Sequence, residues 1–307
     1  MNKRNWALLA AFAASAIYGL NHSIAKGVMP DHIQPFAFIM LRVTGAALLF
    51  WIVSLFGPRE KIDKKDWPRL AVCALLGMGI NMLSFFKGLQ LSTPINSSVL
   101  VTLTPIFVVI LSALYLRERV SLNKALGVLL GFVGALGLVL FGAEVRQDAP
   151  NIPLGNSLFV LNALTYACYL ILVKKLVEKY RPLTLMKWLF GLAALLTLPV
   201  TLPEFMEIQW GSLPLWVYGT VLFVIVFTTF SAYLFNIFAL SQLRATTVGA
   251  FVYLEPLIGI LFALAMGTDR LSPVKLLAAA LVLAGVFLAS RRPRPVGEIR
   301  AGRPKTL

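Results

Sequence analysis

Apolar stretches of about 18 to 24 residues recur from Trp6 to Ser290, each long enough to cross a hydrocarbon core of about 30 Å as a helix. In that medium every backbone N–H and C=O must be satisfied inside the segment, so such stretches imply a polytopic, all-α membrane protein. Composition agrees: 59% of the 307 residues are hydrophobic and 13% are charged, against roughly 45 to 50% apolar and 25% charged in soluble domains. A soluble globule is excluded.

Ten transmembrane helices are predicted, over 6–25, 33–56, 67–87, 94–115, 122–142, 154–174, 184–202, 213–238, 246–266 and 273–290. An even number puts both termini on one side. With the termini cytoplasmic, 22 of the 28 Lys and Arg residues fall in inner segments, five fall in outer ones, and Arg42 lies within a span. That bias is the one membrane topology follows. The expected location is a bacterial-type inner membrane. Topology also accounts for the net charge of +15, so no nucleic acid is expected as a partner. Met1–Arg4 before an apolar run imitates a signal peptide, but no convincing small-residue cleavage site precedes a mature soluble domain, and 6–25 reads as a retained helix.

Several chemistries are disfavoured. Cys73 and Cys168 lie inside apolar segments and give no disulfide framework, and two Cys and two His so scattered make no metal site. There is no G-x-x-x-x-G-K-[ST] loop, so ATP is not the driver and no cofactor is expected. No nucleophile–base pair stands at helical spacing, which argues against an intramembrane enzyme, although distant residues can converge in space.

An internal repeat carries more information than any single residue. At an offset of 151, Leu103-Thr104-Pro105 falls on Leu254-Glu255-Pro256, Glu118-Arg119 on Asp269-Arg270, Ser121 on Ser272 and Gly134 on Gly285. Earlier in each half the offset is about 148, where Tyr18 meets Tyr166 and Lys26 meets Lys174. The division is 1–142 for the first repeat, 143–153 for an external linker, 154–290 for the second repeat and 291–307 for a basic cytoplasmic tail. Five spans per half force opposite orientations, the inverted repeat from which many secondary transporters build alternating access to one central site.

The candidate solute-binding residues are Asn21, His22, Arg42, Asn81, Asn96, Thr104, Asn162, Tyr166, Tyr233, Asn236 and Glu255. Glu255 lies about nine residues, roughly 13 Å, into its helix, and a charge near the midplane needs a wet cavity or a partner. It could carry a proton, meet a solute amine, or pair with Arg42. Arg42 could fork onto a solute carboxylate or tie carbonyls freed by proline. Together the two could hold a zwitterion. Asn162, Thr165, Tyr166 and Tyr169, and likewise Thr229, Tyr233 and Asn236, recur at three- and four-residue spacing, so each set lies on one face that cannot point at lipid. Pro105 and Pro256 each remove a helical hydrogen bond at matching points of the two halves and are the candidate hinges. Lys26 and Lys87, at outer helix ends, are expected to snorkel. The Glu118-Arg119 and Asp269-Arg270 pairs read as loop anchors or latches. The glycines at 127, 131, 134 and 137 read as a surface for close packing within the bundle rather than for dimerisation, and the chain is expected to be a monomer.

Taken in order, Tyr18-Gly19-Leu20-Asn21 with Lys26, Pro35 with Arg42, and the two proline-bearing motifs ending at Glu118-Arg119 and Asp269-Arg270 resemble the drug/metabolite transporter superfamily, within it the EamA-type group of two five-helix repeats. The resemblance covers Trp6 to Ser290. It implies a ten-helix basket around a central cavity, with the fifth and tenth helices as scaffold, and usually export of metabolites such as amino acids or of toxic compounds. The second repeat departs from the pattern in Asp269 for the usual Glu and in lacking an equivalent of Arg42. Expected partners are a small-molecule solute, the lipid bilayer and protons; efflux of organic cations or drugs is the alternative.

Overall fold

The computed structural model describes residues 3–58, 60–115, 122–141, 148–242, 251 and 254–290, and among them the regular structure is helical throughout. We number the helical rods in chain order. They are α1 (Lys3–Val28), α2 (Pro35–Leu55), α3 (Lys64–Leu91), α4 (Pro94–Leu100, Val101–Leu103 and Thr104–Tyr115), α5 (Leu122–Phe141) and α6 (Ile152–Val177). After them come α7 (Pro182–Met206), α8 (Leu215–Phe223, Val224–Ser231 and Ala232–Gln242), α9 (Leu254–Ala265) and α10 (Pro273–Ser290).

Seven of these, α1 to α4 and α6 to α8, are long and apolar enough to cross a membrane; the apolar stretches Ala125–Gly137, Leu254–Ala265 and Pro273–Gly285 are shorter. Prolines open α2, α6 and α7 in the first turn, where the missing N–H has no helical partner to lose. The sequence-predicted latch Glu118-Arg119, most of the linker and the basic tail lie outside the described residues.

Several of the helix contacts map onto one another when the two halves are exchanged. Extensive contacts join α5 to α10, α3 to α6, α2 to α7, α1 to α8, α4 to α6 and α1 to α9, and α4 also touches α9. Replacing each helix by its counterpart five further on turns α1–α9 into α6–α4 and α1–α8 into α6–α3, and leaves α2–α7, α5–α10 and α4–α9 unchanged. A twofold relation between the repeats has this consequence. At the α5–α10 crossing a Cβ on Gly285 would stand 2.5 Å from Gly131 N and 2.6 Å from Gly127 O, so the backbones touch where the repeat aligned Gly134 with Gly285.

Leu48, Leu129, Leu195, Leu222, Leu261 and Leu277 are largely exposed, whereas Asn21, Ser97, Asn156, Thr197 and Thr228 are buried. Apolar surface outside and polar groups inside is the arrangement a lipid solvent selects.

Two irregularities interrupt the rods, and sequence patterning anticipated neither. Leu75–Ile80 in α3 and Val224–Ser231 in α8 are π-helical, at repeat-equivalent positions. Thr229 Oγ1 donates to Val224 O at 2.9 Å, five residues back, as a widened turn allows. In α4, a 3₁₀ turn at Val101–Leu103 leads directly into Thr104 and Pro105, so the helix is locally tightened at the predicted hinge. Pro256 is the third residue of α9, and its preceding turn is outside the described residues apart from Phe251.

We call the face bearing the start of α1 and the α2–α3 and α6–α7 connections the basic face, and the other the sparse face. On the basic face Lys179 pairs with Asp63 and, at 2.5 Å, with Asp66, which also accepts from Tyr180 Oη at 2.6 Å. The Asp63 carboxylate, followed by Asp66, holds the Lys179 ammonium above the ordinary lysine range. The Arg181 amide donates to Glu60 at 2.9 Å.

The sparse face corrects two expectations. Lys26 does not snorkel: it is buried and donates to Leu89 O (2.7 Å), Gln90 O (3.0 Å), Ser92 O (2.9 Å) and Asp148 O (2.5 Å). A helix leaves its last carbonyls unpartnered, and here an ammonium from α1 satisfies those of α3. Asp269 takes Lys275 rather than Arg270 as its charge partner, at 2.8 Å with both side chains wholly buried, and its other oxygen accepts from Ile95 N at the start of α4. Hydropathy could not see this, because a lysine at the end of a span has the same composition whether it turns to the interface or onto carbonyls.

Candidate functional site

Near the crossing of α1, α2, α6, α8 and α9, five side chains converge. Tyr18 lies within electrostatic reach of Arg42, Tyr166, Tyr233 and Glu255, and Tyr233 within reach of Arg42 and Tyr166. The three tyrosines keep part of their surface accessible although they sit deep in the bundle, and so does Glu255, at 20%. Tyr18 and Tyr166 are the repeat-equivalent pair of α1 and α6 and lie within electrostatic reach of each other.

Close backbone contact fixes the geometry around Glu255. A Cβ on Gly19 would come within 2.8 Å of Glu255 O, and one on Gly259 within 2.4 Å of Ser98 Oγ, so α1, α9 and α4 interlock at these two glycines. The same crossing brings His22 Nε2 to 3.7 Å from Glu255 Oε1, longer than a hydrogen bond and within ion-pair range. His22 Nδ1 is 2.7 Å from Ser97 Oγ, and its ring meets Phe85 edge-on at 5.4 Å.

Arg42 is 7% exposed and has no anionic partner among the described residues. Its guanidinium carbon stands 5.3 Å from the Phe86 ring centroid, and its Nε has no hydrogen-bond partner among those residues either. The Arg42–Glu255 ion pair that sequence left open is not formed. A buried guanidinium with no carboxylate against it carries a desolvation cost that an anion would offset.

The remaining predicted residues divide. Asn21 is buried on α1, its Oδ1 without a hydrogen-bond partner among the described residues. Asn81 Nδ2 donates to Asn162 O (3.0 Å) and Asn162 Nδ2 to Asn81 O (2.9 Å), so these amides clasp α3 to α6. Asn96 is fully buried near the sparse end, donating to Asn156 Oδ1 (3.1 Å) and Ser92 Oγ (3.4 Å). Thr104 Oγ1 donates back to Val101 O at 3.0 Å. Asn236 is half-buried on α8. Tyr166 stacks on Tyr169 at 5.5 Å, and Tyr233 meets Phe190 edge-on at 5.3 Å. Sequence reasoning passed over Tyr18 and Ser97; the alignment of Tyr18 with Tyr166 was the signal for the first. Among the described residues no group of three His, Cys, Asp or Glu side chains could hold a metal.

Paired helical repeats, spans of membrane length and a polar interior without catalytic machinery among the described residues define a multi-pass membrane transporter. The EamA-like transporter family model matches residues 5–140 and 153–291, one match on each half. The chain belongs to that family, whose members here are transporters and not enzymes. It is 28% identical over 260 residues to an uncharacterized transporter of Archaeoglobus fulgidus, covering 85% of this chain and 90% of that one. To the uncharacterized transporter YyaM of Bacillus subtilis it is 24% identical over 279 residues, with 90% of each chain covered. A solved crystal structure shares the fold at a TM-score of 0.61, covering 93% of this chain and 97% of that one at 19% identity.

Proposed function

We propose that the protein exports small zwitterionic metabolites, amino acids foremost, across a bacterial inner membrane by alternating access. In this reading ten helices span the bilayer as a basket, in repeats 1–142 and 154–290 joined by an external linker. The basic face and both termini are cytoplasmic, and the chain acts as a monomer. The solute occupies the interior space lined by α1, α3, α4, α6, α8 and α9, with Arg42 reaching it from α2. Its carboxylate meets Arg42, its ammonium meets Glu255, and the tyrosines with Asn21 and Asn236 flank the side chain. Pro105 and Pro256 are the hinges.

The observation that carries this reading is the buried Arg42 guanidinium, unpaired among the described residues, sharing an interior with Glu255. Two opposite charges kept apart fit a solute bearing both. Efflux of organic cations draws support from Glu255 and the tyrosine faces, but a cation there must also face Arg42. Exchange for protons through Glu255 supplies the driving force in a chain whose sequence has no nucleotide-binding loop.

The test is release from proteoliposomes loaded with an amino-acid and amine mixture, with and without a pH gradient, for wild type and Glu255→Gln. Selective, gradient-stimulated amino-acid release that the variant loses is the expected result. Release of amines alone overturns the substrate class, and equal release by both proteins removes Glu255 from the mechanism.

A further inference from the structure

Lys26 and Lys174 are repeat equivalents. In two halves related by a twofold axis they would have the same surroundings if both faces were in the same state. Their surroundings are opposite. Lys26, near the end of α1 on the sparse face, is buried and donates to four backbone carbonyls, three of them at the C-terminal end of α3 and the turn after it. Lys174, in the last turns of α6 on the basic face, is exposed and its side chain makes no hydrogen bond or ion pair among the described residues. Its counterpart target is the C-terminal end of α8, the repeat equivalent of α3, because a helix end offers carbonyls that lack helical partners.

Other contacts are made at both ends. The clamps between α2 and α7 are present at both ends: Glu204 Oε2 accepts from Phe36 N (2.6 Å) and Ala37 N (3.2 Å) on the sparse face, and Glu60 with Asp63 and Asp66 engages 179–181 on the basic face. Contacts made at both ends do not distinguish two states of the molecule, whereas a contact made at one end and missing at the other does.

We infer that Lys26 and Lys174 are the two positioning residues of an alternating latch, Lys26 sealing the sparse face in this conformation and Lys174 capping the end of α8 when the basic face closes. The inference rests on the alternating-access reading above and adds the groups that hold each state. An ammonium suits this role because several charge-assisted bonds form or break together in one motion. The carbonyls left behind are at a helix end, where water replaces the ammonium once the face opens. The interlocked α1–α9 crossing at Gly19 and Gly259 makes α1 move as a unit with α9, so releasing Lys26 frees the α1–α3 seam without disturbing the α2–α7 clamps.

The test places single cysteines beside each latch in a Cys73→Ser, Cys168→Ser background. Ser23→Cys lies one turn before Lys26, and Ile171→Cys is its counterpart one turn before Lys174. Each is labelled with a membrane-impermeant maleimide applied from the sparse or the basic face. Lys174→Met, a change at an exposed position that leaves folding intact, is expected to lower labelling of the thiol at position 23 from the sparse face by about tenfold, since the opposite state loses its charge-assisted bonds. Lys26→Met is expected to raise it, with Lys26→Arg retaining the wild-type pattern if loss of charge rather than misfolding is the cause. If Lys174→Met leaves both labelling rates unchanged while the thiols at positions 23 and 171 are labelled from opposite faces, the latch is overturned and alternating access stands. If neither thiol is ever reached from its own face, alternating access itself fails.

Discussion

On the sparse face, Lys26, Lys275 and Asp269 bring their charges onto backbone groups and each other inside the protein, whereas on the basic face Lys179, Asp63 and Asp66 meet largely in solvent. The two closures therefore differ in what they cost to open. A buried charge that has its hydrogen bonds is held firmly, and removing one member strands the other. An exposed ion pair is screened by water and salt and is worth little. The sparse face is held by buried interactions that must be exchanged for others, while the loops of the basic face are tethered by interactions that can part and re-form freely.

The largest expected effect follows from breaking the buried side. Asp269→Asn leaves the Lys275 ammonium without its carboxylate at a site with no solvent, and removes the charge that Ile95 N donates to. A loss of about 3 to 5 kcal/mol is expected, read as a marked fall in melting temperature of the detergent-solubilised protein. No resolvable fall would mean that the pair is hydrated and the sparse face is not sealed there. The smallest effect belongs to the other side: Lys179→Ala should leave the melting temperature unchanged at moderate salt, and a clear fall would erase the contrast between the faces.

Much of this architecture was legible in the sequence because lipid imposes it. Span length, the polar stripes on α6 and α8 and the two-repeat register all follow from backbone satisfaction and from a duplication that preserved spacing, and the family match on 5–140 and 153–291 falls on the same two halves. The site was legible in part. His22 faces Glu255, and Arg42, Tyr166, Tyr233 and Glu255 lie around Tyr18, whereas Asn81 and Asn162 turned to each other's carbonyls, a choice that depends on how α3 and α6 are rotated. The π-helical turns of α3 and α8 were invisible because a widened turn is set by tertiary packing: the Gly77 site lies against the Tyr169 ring, where a Cβ would come within 2.5 Å. Tyr18 was visible only through its alignment with Tyr166. The burial of Lys26 and Lys275 required knowing where α3 and α9 end in space.

The account depends most on Arg42 and Glu255 reading opposite ends of one solute. Its most direct test is competitive uptake into proteoliposomes of an amino acid against the amine formed by its decarboxylation, for wild type and Arg42→Gln. The wild type is expected to prefer the amino acid, and the variant to lose that preference by about tenfold or more as the charge-assisted carboxylate contact disappears, with amine uptake maintained. A variant that keeps the wild-type preference would contradict the assignment of Arg42 to the solute and with it the zwitterion reading of the cavity.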